Sequence, residues 1–251
     1  MRQVLGVVLV LASCSVAVAQ EDRRDSGGRG LITFEGPAGL FINPTSGTLP
    51  RGQFTPQYCV ALFEQEDVVV AWHQAMIAYG VTDWLEVGAI GVIEHFDSDH
   101  SLAAGGPLLR IRLLEDEGWQ PEVGLGGVLR EGADVLTRRT VFAAASKRFP
   151  IDELGILRAV RLHTGIRRYW QDADVNAANG TVAFLGGELE LPRGLFLVAE
   201  ISTRSETLRH TPFAFGVQVR RPDGFAFTLA VLQTGNQDGL GAYVGIGINF
   251  Q

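Results

Sequence analysis

The chain has 251 residues, 21 Lys+Arg against 28 Asp+Glu and a formal net charge of -7. That balance, with no basic patch in view, argues against a nucleic-acid binder. The 46% hydrophobic share excludes a disordered chain, and two cysteines, Cys14 and Cys59, exclude a disulfide framework.

Residues 1–19 read as a cleaved signal peptide. Arg2 supplies a positive start, residues 4–12 an apolar stretch, and Ala17-Val18-Ala19 a small-residue cleavage site before Gln20. About nine apolar residues are too few to span a bilayer as a helix, which needs about 20. Leu11-Ala12-Ser13-Cys14 also resembles a lipobox, which would instead leave Cys14 lipidated. Residues 20–30 are polar and glycine-rich and read as a flexible linker.

Residues 31–52 form a distinct N-terminal segment. Pro37, Pro44 and Pro50 discourage a long ladder strand. Leu31, Ile32, Phe34, Leu40, Phe41 and Ile42 nevertheless need cover from water. Two placements stay open: at the mouth or inside a lumen, or as a short edge pairing outside a closed ring.

From Gln53 to residue 251 the dominant period is two. Phe225, Phe227, Leu229 and Val231 alternate with Ala226, Thr228 and Ala230. Ala242, Val244, Ile246, Ile248 and Phe250 alternate with Tyr243, Gly245, Gly247 and Asn249. Such alternation predicts strands with one apolar face. About twelve such segments, each on the order of ten residues, predict an antiparallel transmembrane β-barrel. Their starts fall near Gln53, Asp67, Trp84, Gly106, Trp119, Arg138, Leu157, Gly180, Gly194, Thr211, Phe225 and Gly239. Segments two, six and seven are ambiguous in phase. Connections such as Pro222-Asp223-Gly224 are tight, whereas Asp97–Gly105, Glu131–Thr137, Gln171–Asn179 and Arg204–His210 read as longer loops. This asymmetry predicts a bacterial outer-membrane barrel with periplasmic termini. A soluble β-sandwich would also give period two. A soluble closed barrel of this size would have to line a wide lumen with apolar side chains.

The lumen-facing parity gathers Glu86, Glu94, Arg110, Arg112, Glu122, Arg130, Arg161, Arg167, Glu188, Glu190, Glu200, Arg204 and Arg220. These charges either pair and block the lumen or line a path for polar solutes. Phe250, with Tyr243 on the same last strand, is the candidate signal for barrel assembly. Asp97, Asp99 and His100 are a weak candidate for a divalent cation, against the simpler reading of a solvated loop. No catalytic string occurs, so no enzyme and no cofactor are expected. A phospholipase-like site would need Ser and His together on the outer face, and no serine neighbours His73 in sequence.

Gly36–Phe54 carries Gly39-Leu40, Pro44-Thr45 and Leu49-Pro50-Arg51-Gly52. This stretch resembles the N-terminal signature of YjbH-like outer-membrane barrels. The resemblance implies an association with exopolysaccharide or lipopolysaccharide production and brings no catalytic residues. Ala78–Ala89 is similar to a hairpin common to many barrel families. The expected partners are outer-membrane lipid, lipopolysaccharide and the barrel-assembly machinery, with a polysaccharide as a further one and no nucleic acid. The expected function is a passive channel or export-associated barrel, or else a structural barrel with a salt-bridged, closed lumen.

Overall fold

The computed structural model describes residues 31–65, 67–96, 100–132, 137–151, 155–172 and 178–250. In chain order the strands are β1 (Ile32–Thr33), β2 (Gly36–Ala38), β3 (Phe54–Gln65), β4 (Val68–Thr82), β5 (Leu85–Phe96), β6 (His100–Leu114), β7 (Glu122–Gly132), β8 (Thr137–Pro150), β9 (Ala159–Asp172), β10 (Ala178–Leu191), β11 (Leu195–Ser202), β12 (Phe213–Arg220), β13 (Phe225–Gln233) and β14 (Gly241–Ile248). Strands β3 to β14 close into one antiparallel barrel of twelve strands. The seam pairs β14 with β3, with Val244 opposite Val60. A bridge between Phe54 and Phe250, whose rings stack at 6.3 Å, extends that seam. Closure leaves no unpaired sheet edge, which is what a bilayer core demands of strands.

The outer parity is predominantly apolar around the ring. Leu185 is 56%, Phe215 52%, Ile201 52% and Ile77 50% exposed, and Leu109, Leu125, Val141 and Leu162 join them on intervening strands. A continuous exposed apolar band of this kind suits lipid and is foreign to a water-soluble monomer. Trp84, Trp119, Tyr79, Phe149, Phe54 and Phe250 are exposed around the end that carries Phe54 and Phe250, here called the terminal end. Amphipathic rings gather in this way at a membrane interface. Lys147 also sits on the outer parity, at the terminal end of β8. Its ammonium reaches Asp116 and the Gly118 carbonyl, so its charge leaves the apolar band.

Two sequence expectations need correction here. Strand β6 begins at His100 rather than near Gly106, and β7, β9 and β10 also run into residues read as loop. The connections therefore do not separate into short and long sets. At the far end β3 and β4 meet within residues 66–67, while at the terminal end β8 and β9 are joined by residues 151–158. Backbone pairing simply continues past the apolar band, where polar side chains carry no lipid penalty. Arg204 is the second correction. It follows the end of β11, is exposed, and donates from Nε to the Leu208 carbonyl at 2.8 Å. It belongs to the far-end loop and does not line the lumen.

The phases left ambiguous are now assigned. Gln74 faces inward and His73 outward on β4; Arg167 and His163 face inward on β9. Much of the inward face is apolar: Phe63, Val70, Trp72, Met76, Ile90, Val92, Leu108 and Val128 form one buried cluster. Ile32, Phe34, Leu40, Phe41, Ile42 and Leu49 of the N-terminal segment complete that cluster. Residues 31–49 are thus packed against the inner wall. They pair as the two short strands β1 and β2, with Ile32 opposite Ala38, and through a bridge between Gly39 and Pro44.

Candidate functional site

The space enclosed by the ring is filled by this segment. It climbs from the level of Gln57, whose Oε1 accepts the Ile32 amide, to arginines near the far end. It then returns to the terminal end, where the Leu49 amide donates to Glu86 Oε2 at 2.8 Å and the Gly52 amide donates to the Gly80 carbonyl at 2.8 Å. Two wall glycines make room for its backbone. A Cβ at Gly124 would lie 2.3 Å from the Ser46 carbonyl oxygen, and one at Gly80 would lie 2.0 Å from that of Pro50. Such approaches exclude any side chain at either position.

Because an irregular segment cannot satisfy its own backbone, wall side chains must do so. Glu200 on β11 accepts the amides of Phe41 (2.8 Å), Ile42 (2.5 Å) and Asn43 (3.1 Å), and Asn43 Nδ2 as well (2.7 Å). Gln74 Nε2 donates to the Thr33 carbonyl at 2.6 Å, and Gln218 Nε2 to the Leu40 carbonyl at 2.9 Å. The Tyr243 hydroxyl donates to the Ile32 carbonyl. Arg110 Nη2 donates to the Thr45 carbonyl at 3.0 Å. Ser46 Oγ lies 2.6 Å from both Ser146 Oγ and Glu122 Oε1. The contacts come from strands around the whole ring.

The remaining lumen charges mostly pair with near neighbours on the wall. Arg110 lies 3.4 Å from Glu86 on the adjacent strand. Arg220 bonds Glu188 through both terminal nitrogens, stacks 4.3 Å over the Phe196 ring, and has Gln218 Oε1 2.9 Å from its Nε. His163 Nε2 is 3.7 Å from Glu188, and its Nδ1 is 2.8 Å from Ser146 Oγ. Arg148 donates to Glu190 at 3.0 Å near the terminal rim, and Arg112 to Glu115 at 2.7 Å. Arg161 is half-buried on β9.

At the far end Glu35 meets three arginines. Arg138 Nη2 donates to its two oxygens at 2.7 and 2.9 Å. Arg167 Nη1 is 2.5 Å away and Arg130 Nη2 3.7 Å. Burial would raise the Glu35 carboxyl, but Arg138, Arg167 and Arg130 outweigh it and hold it down at about 2. Beside them Phe34 stacks on Trp72 at 4.5 Å, and Arg130 lies 5.6 Å over the same indole. The loop after β11 packs against this part of the wall. Tyr169 contacts Ser205 Oγ at 2.9 Å and also Thr207, and Leu208 packs against Tyr169 and Val182.

Of the sequence candidates, Glu86, Arg110, Arg130, Arg167, Glu188, Glu200 and Arg220 are buried on the inner wall, and Glu122 reaches it. Tyr243 is buried against the internal segment, while Phe250 is half-exposed on the outer face. Asp97 and Asp99 lie outside the described residues, as does the side chain of His100. Sequence reasoning missed Glu35, Arg138, Asn43, Gln74 and Gln218, whose partners are distant in the chain. It also missed a polar row on the outer face. Ser101 Oγ is 2.7 Å from His95 Nδ1, whose ring meets His73 at 5.3 Å, and His73 Nδ1 is 2.6 Å from the Tyr58 hydroxyl. Pairing of β5 with β6 brings that serine in from a position a search beside His73 does not reach.

No protein-family model matches the chain, and no curated protein matches it at a significant level. Solved structures do. An outer-membrane channel from Pseudomonas putida F1 is 12% identical, with a TM-score of 0.57 over 83% of this chain and 100% of that one. The translocator domain of the autotransporter NalP from Neisseria meningitidis is 15% identical, with a TM-score of 0.50 over 81% and 89%. The KdgM porin is 10% identical, with a TM-score of 0.50 over 78% and 99%. The fold is that of the outer-membrane β-barrels. At these identities the likeness speaks to fold and not to cargo.

Proposed function

We propose that the protein is a bacterial outer-membrane channel for small polar solutes whose lumen is held shut by residues 31–50. The observation that carries this reading is the convergence of three consecutive backbone amides, Phe41 to Asn43, on the buried Glu200 carboxylate. A wall built to hold irregular backbone binds a separable part, joined to the ring through residues 51–53. Residues 1–19 would direct export, the termini would face the periplasm, and Phe250 would be read by the barrel-assembly machinery. Lipid and lipopolysaccharide would meet the apolar band. The finer reading, service to an exopolysaccharide, is supported by the resemblance of Gly36–Phe54 to YjbH-like barrels.

A second reading has its own support. The segment buries its apolar side chains as a domain core does, so the barrel could be permanently filled and act as a structural element. Planar-bilayer recordings on refolded protein separate the two. The channel reading expects small or rare currents from the full chain and steady large currents after deletion of residues 31–50. An assembled deletion variant that carries no current would support the structural reading.

A further inference from the structure

The wall around Glu35 carries more positive charge than the internal segment uses. Arg130, Arg138 and Arg167 come from three successive strands and meet the one carboxylate of Glu35. Glu94 on β5 is a second carboxylate within electrostatic reach of Arg130 and Arg138. Among the described residues, none of the three guanidinium nitrogens of Arg130 has a hydrogen-bond partner, although the residue is only 2% exposed. Arg138 Nε is likewise unpartnered. Buried donors left unmade are costly, and planar guanidinium forks match carboxylates in pairs. Remove the internal segment and, among the described residues, Arg130 and Arg138 keep Glu94 as their carboxylate while Arg167 loses Glu35.

The neighbouring aromatic surface narrows the ligand class. Trp72 presents a flat face beside Arg130, and in the closed state Phe34 stacks on it. Phe34 and Glu35 together place a ring on an indole and a carboxylate among arginines. We propose that the wall formed by Trp72, Arg130, Arg138 and Arg167 is a binding site for a ring-bearing carboxylate, the class of a uronic acid, and that Phe34-Glu35 occupies it in the closed state. Such a solute competes with the internal segment for its own site. The proposal rests on the channel reading for its purpose, but the site itself is tested by binding alone.

Isothermal titration calorimetry on detergent-refolded Glu35→Ala protein, with glucuronate as probe and glucose as neutral control, makes that test. Glu35→Gln serves where the alanine variant does not assemble. The expected result is saturable binding of glucuronate at least tenfold tighter than glucose. Adding Arg130→Gln to either variant should weaken glucuronate at least tenfold while leaving the barrel folded. Equal heats for glucuronate and glucose on a folded barrel would overturn the proposal, as would an Arg130→Gln variant that binds glucuronate unchanged. Glucuronate binding together with a silent deletion variant would keep the site and sink the channel. Currents from the deletion variant with no glucuronate binding would do the reverse.

Discussion

Glu200→Ala removes the acceptor of four hydrogen bonds without touching the apolar band. The carboxylate takes three backbone amides and the Asn43 side chain at 2.5–3.1 Å. A hydrogen bond to a charged group contributes roughly 1.5–3 kcal/mol. The four share one acceptor and are not additive, and water can partly replace it. A weakening of docking by about 3–6 kcal/mol is the reasonable expectation. At about 1.4 kcal/mol per factor of ten, the undocked population should rise by roughly 10² to 10⁴. Cys59 reports that population. It faces inward, is fully buried, and belongs to the same cluster as Ile32, Phe41 and Tyr243. Labelling follows the open population when reclosing is fast. The assay is the rate at which a small charged methanethiosulfonate modifies Cys59, read by mass spectrometry of its peptide. Glu200→Ala should label at least a hundredfold faster than the parent, with Glu200→Gln between them. Glu190→Ala, at the rim and paired with Arg148, should leave Cys59 protected. If Glu200→Ala folds and Cys59 stays as protected as in the parent, the docking argument is wrong.

Leu229→Arg places a charge on the outer face of β13 and should cost about 2–4 kcal/mol in a urea titration in lipid. Its neighbour Thr228 faces the lumen and is fully buried, so Thr228→Arg should also destabilise, through overpacking and an unpaired charge. A silent Thr228→Arg would mean that the lumen is not filled. Removing Phe250 and Gln251 should lower the assembled barrel without changing export, because Phe250 completes the β14–β3 seam; normal outer-membrane levels would argue against that role. Acid should loosen the internal segment. The Glu35 carboxyl, which is off the spanning strands, is held down at about 2, so its contribution is fully present above the ordinary carboxylate range. It is lost as pH falls through the depressed value. Cys59 labelling should therefore accelerate as pH drops from about 4.5 toward 2 after correction for thiolate content, and Glu35→Gln should flatten that trend.

The strands were legible because lipid imposes a one-sided rule. Outer positions that meet the bilayer core are held apolar, so β11 to β14 alternate cleanly. The lumen imposes no such rule. In β4 the inward residues Val70, Trp72 and Met76 are apolar because they pack in one buried cluster with Phe34 and Ile32, not because they meet lipid. Both parities then look alike and the phase blurs. Glu86, Arg110, Glu188 and Glu200, on strands whose phase is clear, lie buried on the inner wall. Their partners were not readable. The Glu35–Arg138 pair spans 103 positions and the Glu200–Asn43 pair 157, and no local period couples such residues. Glycine misled in a different way. By alternation alone Gly80 and Gly124 are ordinary inward positions, whereas each is the absence of a side chain where the internal backbone passes.

The central claim, that residues 31–50 occupy and close the lumen, is tested most directly by a reversible tether. Ser46 on the segment and Ser146 on β8 have their Oγ atoms 2.6 Å apart, so cysteines at both positions bring two sulfurs within bonding reach. The Ser46→Cys/Ser146→Cys variant, in a Cys59→Ala background, should cross-link within a single chain on mild oxidation. Combined with Glu200→Ala, it should carry no current when oxidised and open on reduction in the same bilayer. Thiols that stay free in the folded barrel, or a cross-linked barrel that conducts as well as the reduced one, would contradict the account.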